Sequence, residues 1–254
     1  MKRSLHALQI AFQFLTRIPA GDPPWSEDMP GRAAVFFPLV GLVVGAGGAL
    51  IDWICCHYSV DRSLRAIAVL AFLVLITGGL HEDGLADVAD GFGGGGSNRD
   101  KVLAIMKDSR VGSFGVIALV LSLLARFALL QALPASQAAA TLIAAHVLCR
   151  WTALPLAKYL PSARGSTGQS ARLALHLPRY AVPVGTALAV ALVVGLMGRK
   201  ALLPLLAAVV VTALSALYYR RRLGGVTGDC LGATNQLTEI AIYACAVLGS
   251  AAVS

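Results

Sequence analysis

The chain has 254 residues, 57% of them hydrophobic and only 13% charged, with a mean hydropathy of +0.74. That composition excludes an ordinary soluble domain, which needs about twice as much charge to cover its surface. The net charge of +8 does not mark a nucleic-acid binder, because the basic residues fall between apolar runs and not along one polar face.

Residues 1–20 carry Lys2 and Arg3, but Gln9, Gln13 and Arg17 interrupt any hydrophobic core of a cleavable signal. Leu5, Leu8, Phe12 and Leu15 instead recur at helical spacing, which predicts an amphipathic helix lying in the membrane interface. Seven stretches then approach the ~20 apolar residues that cross a ~30 Å hydrocarbon core. They are 33–55, 63–80, 113–133, 137–158, 180–197, 201–219 and 237–253. The expected fold is therefore all-α, a polytopic helical bundle of about seven transmembrane helices with an N-terminal interfacial helix, forming one membrane-embedded domain over 1–254.

Charge supports that topology. Alternation puts the N-terminus, 81–110, 159–179 and 220–236 on one side, and these segments hold 14 of the 21 Lys and Arg residues. The other side receives only Arg62, Arg65, Arg199 and Lys200, which makes the richer side cytoplasmic. Cys55, Cys56, Cys149, Cys230 and Cys245 form no CxxC pair and no Cys/His metal spacing, so a disulfide framework is not expected. Gly93 to Gly96 reads as a hinge or turn.

Six of the 13 acidic residues lie between Glu82 and Asp108. Within His81 to Gly91, Asp83, Asp87 and Asp90 stand at i, i+4 and i+7, so a helix carries all three carboxylates on one face. They repel one another unless a cation lies between them, and oxygen-only donors favour Mg²⁺ over zinc; the plainer reading is a solvated helix end. Next, MKDSRVGSFG (Met106 to Gly115) sets Lys107 and Arg110 around Asp108, cations suited to phosphate oxygens or to anchoring at the membrane face, with Gly112 and Gly115 permitting close approach to a ligand.

Downstream, GGVTGDCLGATNQLTE (Gly224 to Glu239) places Thr227 and Asp229 among glycines, where Asp229 is either a site carboxylate or a helix N-cap. Asn235 and Glu239 follow one turn apart at the start of the last span, a functional or a buried hydrogen-bonding pair. Arg150 beside Trp151 either snorkels or meets substrate, and Arg164 to Gln169 reads as a flexible polar loop able to touch phosphate. His57, His146 and His176 suit core or interface positions, and Asp52 an interfacial charge.

The three motifs, with FQFLTRIP (Phe12 to Pro19) and FFPLVGLVVG (Phe36 to Gly45), resemble the cobalamin synthase family, the adenosylcobinamide-GDP ribazoletransferases, from about residue 5 to 245. The resemblance implies a Mg²⁺-requiring enzyme of the bacterial inner membrane with its active site on the cytoplasmic side. Its substrates would be adenosylcobinamide-GDP and α-ribazole or α-ribazole 5′-phosphate, and GMP would be released. It also implies contact with the lipid bilayer, no nucleic acid, and a homo-oligomer or association with other enzymes of the same pathway. DGLADVADG is more loosely similar to the Asp-rich signature of CDP-alcohol phosphotransferases, without its complete spacing; GATNQLT lacks an acidic residue expected near Gln236.

On that basis Asp83, Asp87 and Asp90 are expected to hold Mg²⁺, and Asp229 to complete the metal site or accept the ribose proton. Arg110 and Lys107 would stabilise charge on the leaving GMP, with Asp108 orienting them. Asp90, Asp108, Arg150, Thr227, Asn235 and Glu239 are the expected substrate contacts. The rival reading, a transporter or cation channel, predicts carboxylates near the bilayer midplane and internal repeats, and no repeat is visible in the sequence.

Overall fold

The structure is a computed structural model that describes residues 2–165, 173 and 175–251. Its helices are α1 (Lys2–Leu15), α2 (Met29–Ala34), α3 (Phe37–His57), α4 (Arg62–Thr77), α5 (Leu80–Gly95), α6 (Arg99–Ile105), α7 (Ser113–Ala132), α8 (Ala135–Trp151), α9 (Ala153–Tyr159), α10 (Ala181–Met197), α11 (Leu202–Leu223) and α12 (Gly228–Ala251). Among the described residues there is no strand, only an isolated bridge between Ser162 and Val226.

Each amphipathic pattern finds its partner. On α1, Ala7, Ile10, Ala11 and Leu15 are buried while Leu5 is exposed, so the helix lies on the bundle by one face, against α2 and α3. The long helices do the opposite of soluble helices. Ile117, Leu121 and Leu124 on α7, and Leu206, Val210 and Leu214 on α11, are exposed, and apolar faces on this scale belong against lipid. The closest packing in the bundle joins α3 to α8. A Cβ at Gly41 would overlap the His146 carbonyl oxygen, and one at Gly45 would lie 2.7 Å from the Ile143 Cα. These two glycines, four apart on one face, let the backbones touch, and α8 behind them is buried through Leu142, Ala145 and Leu148.

The all-helical, multi-pass reading holds, while the count of seven crossings is not confirmed by length and composition among the described residues. Four stretches qualify, Phe37–His57, Ser113–Ala132, Ala135–Tyr159 and Ala181–Leu223, or five if α4 and α5 count as one bent span. Two physical reasons account for the difference. The expected 63–80 span stops at Thr77, where the chain turns 87° into α5, leaving only 16 residues in α4. Ala181–Leu223, 43 residues, would measure ~65 Å as one helix, about twice the hydrocarbon thickness. The 3₁₀ turn Gly198–Ala201 divides it into α10 and α11. The expected 237–253 span falls within α12, which starts already at Gly228; residues 252–253 lie outside the described residues. With four carboxylates on its first three turns, α5 is not read as a crossing helix.

Candidate active site

The site begins at the α4–α5 elbow. Gly78 and Gly79 take left-handed φ values of +64° and +70°, a conformation that costs glycine little and other residues much. The turn swings α5 across α12. Gly84 faces the start of α12 so closely that a Cβ would lie 2.9 Å from the Asp229 carbonyl oxygen, and Gly232 meets Gly84 from the other side at 3.4 Å. Two helices that touch at glycine bring Asp83 and Asp87 of one beside Asp229 of the other.

Asp83, Asp87 and Asp229 are thus the expected residues that the fold does bring together. Burial pushes the Asp87 carboxyl up to about 6, and the neighbouring carboxylates of Asp229 and Asp83 add to the rise. Asp229 sits in the first turn of α12, where the helix dipole favours an anion, and accepts a hydrogen bond from Arg164 Nη2 at 2.9 Å. The same Arg164 nitrogen donates to the Met106 carbonyl at 3.2 Å. The rest of the expected polar loop, residues 166–169, lies outside the described residues.

Beside these carboxylates is a cavity of about 230 Å³. Its lining includes Asp83, Asp229, Arg150 and Asn235 together with Phe14, Trp25 and Phe37. Asn235 and Arg150 therefore stand where the sequence placed them, at the site. Arg150 is 2% exposed and is held by His146, whose Nδ1 lies 2.9 Å from its Nη1.

Other expected residues have different surroundings. Both oxygens of Asp90 accept backbone N–H groups, from Gly112 at 2.7 Å and Gly115 at 2.8 Å. Asp90 therefore caps α7 instead of facing the cavity, and the close approach that Gly112 and Gly115 permit is to this carboxylate and not to a ligand. Thr227 is fully buried; its Oγ1 accepts the Cys230 N–H at 3.3 Å, capping α12, and donates to the site carboxylate Asp229 Oδ2 at 3.2 Å. Lys107, Asp108 and Arg110 lie on the outer surface, away from the cavity lining. Arg110 Nε bridges both Asp108 oxygens at 3.0 and 3.1 Å, and Arg110 holds the Asp108 carboxyl down at about 2.

Glu239 lies behind the cavity, in a buried polar network that sequence reasoning missed. Arg126, 1% exposed in α7, donates to Glu82 Oε1 at 3.0 Å and lies 3.6 Å from Glu239 Oε1. Gln236 donates to Glu82 at 3.2 Å, and Tyr243 Oη pairs with His146 Nε2 at 3.3 Å. The network ties α5, α7, α8 and α12 together directly beneath the carboxylates. The signal for it was an arginine in the middle of an otherwise apolar 113–133 run.

Among the described residues, no three Asp, Glu, His or Cys side chains converge closely enough to hold one ion between them. The donor chemistry nonetheless fits a hard cation. Asp83, Asp87 and Asp229 offer oxygen only, and burial, with the neighbouring carboxylates, raises the Asp87 carboxyl, a cost that a bound cation would offset.

Fold and site together define an integral membrane protein with a carboxylate-walled cavity at one end of its bundle. The family described as Cobalamin-5-phosphate synthase matches residues 7–247, and the chain belongs to it. It is 41% identical over 253 residues to the Ralstonia nicotianae protein named adenosylcobinamide-GDP ribazoletransferase, covering 95% of each chain. Proteins of the same name from Shewanella putrefaciens and Shewanella piezotolerans are 38% and 36% identical, covering 92% and 95% of this chain and 90% and 95% of their own. No solved structure matches the chain.

Proposed function

We propose that this protein joins adenosylcobinamide-GDP to α-ribazole, or to α-ribazole 5′-phosphate, and releases GMP. The observation that carries the reading is the meeting of Asp83, Asp87 and Asp229 at the Gly84–Gly232 contact, beside a cavity lined by both polar and aromatic side chains. Phosphoryl transfer asks a protein mainly for alignment and charge neutralisation. A ribose hydroxyl oxygen forms the new O–P bond, the P–O bond to the GMP phosphate breaks, and the hydroxyl proton passes to a carboxylate. Asp83, Asp87 and Asp229 would hold Mg²⁺, which supplies charge neutralisation at the diphosphate. Arg164, already joined to Asp229, takes the part first expected of Arg110, while Asn235 and Arg150, on the cavity lining, orient the substrate. The enzyme would work in the bacterial inner membrane with this end facing the cytoplasm.

The test is GMP release by the purified full chain with Mg²⁺ and adenosylcobinamide-GDP, with and without α-ribazole. Release should depend on ribazole, and Asp83→Asn should lower kcat at least ~100-fold with unchanged thermal unfolding. Ribazole-independent or absent release, or near-normal turnover by Asp83→Asn, would sink the reading.

A further inference from the structure

A second cavity, of about 460 Å³, lies on the other side of Asp83. Both cavities are bordered by Phe14, Leu80 and Asp83, so the two spaces flank the first turn of α5. Among the described residues, Arg17 is the one cation on the lining of this second cavity, which also holds Gln13, Thr16 and Gly79. Its position is built and not incidental. The Arg17 backbone N–H donates to the Ile76 carbonyl at 2.7 Å, pinning the end of the FQFLTRIP segment to the last turn of α4. The guanidinium then lies over Gly78, where any Cβ would overlap Arg17 Nε. The left-handed elbow that starts α5 therefore also makes the seat for this arginine. No ion pair to Arg17 is found among the described residues, whereas Glu82, at the same cavity, is engaged by Arg126.

We propose that Arg17 is the anion anchor of this second cavity and grips the diphosphate of the nucleotide-bearing substrate. Guanidinium offers a planar pair of N–H donors that matches phosphate oxygens. It approaches from the α1 side while Asp83 borders the same space from α5. The cavity that holds the guanidinium takes the doubly charged group; the one lined by Phe14, Trp25 and Phe37 takes the nucleophile, and Asp83 borders both. This rests on the phosphoryl-transfer reading above. The same guanidinium chemistry would also fit a phospholipid headgroup, and the experiment separates the two.

Full-length Arg17→Ala, Arg17→Gln and Arg17→Lys are purified in uncharged detergent, with thermal unfolding as the check on folding. We expect the Ala and Gln variants to raise KM for adenosylcobinamide-GDP about tenfold or more, to leave KM for α-ribazole within about twofold, and Lys to fall between. GDP binding by calorimetry should weaken in parallel, and adding phosphatidylglycerol should change none of this. An unchanged nucleotide KM and GDP affinity in folded Arg17→Gln overturns the anchor, as does an effect confined to the KM for α-ribazole 5′-phosphate. An effect that appears only with phosphatidylglycerol assigns Arg17 to lipid and overturns it too. If the unmodified protein releases no GMP, the transfer reading fails by itself, and GDP affinity decides Arg17: weakened binding in the variants keeps the anchor, and equal or absent binding removes it.

Discussion

At the scale of single residues, the carboxylates that attract a cation also work against the fold. An Asp87 carboxyl raised to about 6 from 3.8 binds its proton more tightly folded than unfolded. Stability therefore falls as pH rises from about 4 to 6, and the whole cost is present above that window. A shift of that size corresponds to ~3 kcal/mol before screening, and to ~1 kcal/mol for a group still partly in contact with solvent. Asp87→Asn should accordingly raise Tm by ~2–4 °C at pH 7.5 in chelator, the gain vanishing near pH 4, while turnover is lost. A Tm equal to that of the unmodified protein at both pH values would show that the carboxylates do not crowd one another. Arg126 has the opposite character. Removing it leaves Glu82 and Glu239 buried without their cation, which costs ~3–5 kcal/mol, so Arg126→Ala should lose thermal stability sharply and Arg126→Lys less. The acidic members of the site were legible in the sequence because carboxylates are scarce in an apolar chain. Arg164 was legible only as part of a polar loop able to touch phosphate; its pairing with Asp229 was not, because Asp229 lies 65 positions away and only the fold joins them. Lys107 and Arg110 lie off both cavity linings, which sequence could not show, because a cation beside a membrane helix serves an anchor and a phosphate site equally well and sequence gives no depth.

At the scale of elements, the helices themselves were readable from apolar periodicity, but the angle between two of them was not. Residues 63–95 contain an apolar run followed by an acidic one, which sequence reading took as a span and then a helical face of carboxylates, without the bend between them. The structure makes both parts helical and breaks them at Gly78 and Gly79. Whether such a pair bends or reads on as a turn depends on what receives the second helix, and the receiver, Gly232 of α12, lies far along the chain. The same contact gives a testable consequence. Gly84→Val puts side-chain atoms against the Asp229 backbone, where even a Cβ has only 2.9 Å, so α5 must move off α12. Overpacking of this kind costs ~1–3 kcal/mol in stability, while an ~1 Å displacement of aligned groups costs ~100-fold in rate. Steady-state kinetics of a folded Gly84→Val should show kcat falling far more than KM rises. A variant with normal kcat would mean that the spacing of Asp83 and Asp87 from Asp229 does not set the rate.

At the scale of the whole molecule, the distribution of basic residues and the placing of the site agree on one orientation. Under the seven-span alternation expected from sequence, fourteen Lys and Arg residues flank the segments that carry Asp83, Arg164 and Asp229, and four lie opposite, a bias that would place the richer side in the cytoplasm. The structure adds a native reporter on the poorer side: Cys56, exposed in the last turn of α3, is one helix length from the Phe37 end that lines the site cavity. In intact cells a membrane-impermeant maleimide should label Cys56 without lysis. With Cys56→Ser in the background, Lys107→Cys should react only after lysis, since Lys107 is exposed on the side of the site. Labelling of both before lysis would mean that α3 does not separate them, and the reverse pattern would turn the active site outward. Either result would conflict with a reaction fed by a cytoplasmic nucleotide, because a GDP-linked substrate carries charges that an apolar bundle of this composition cannot pass through its lipid-facing helices.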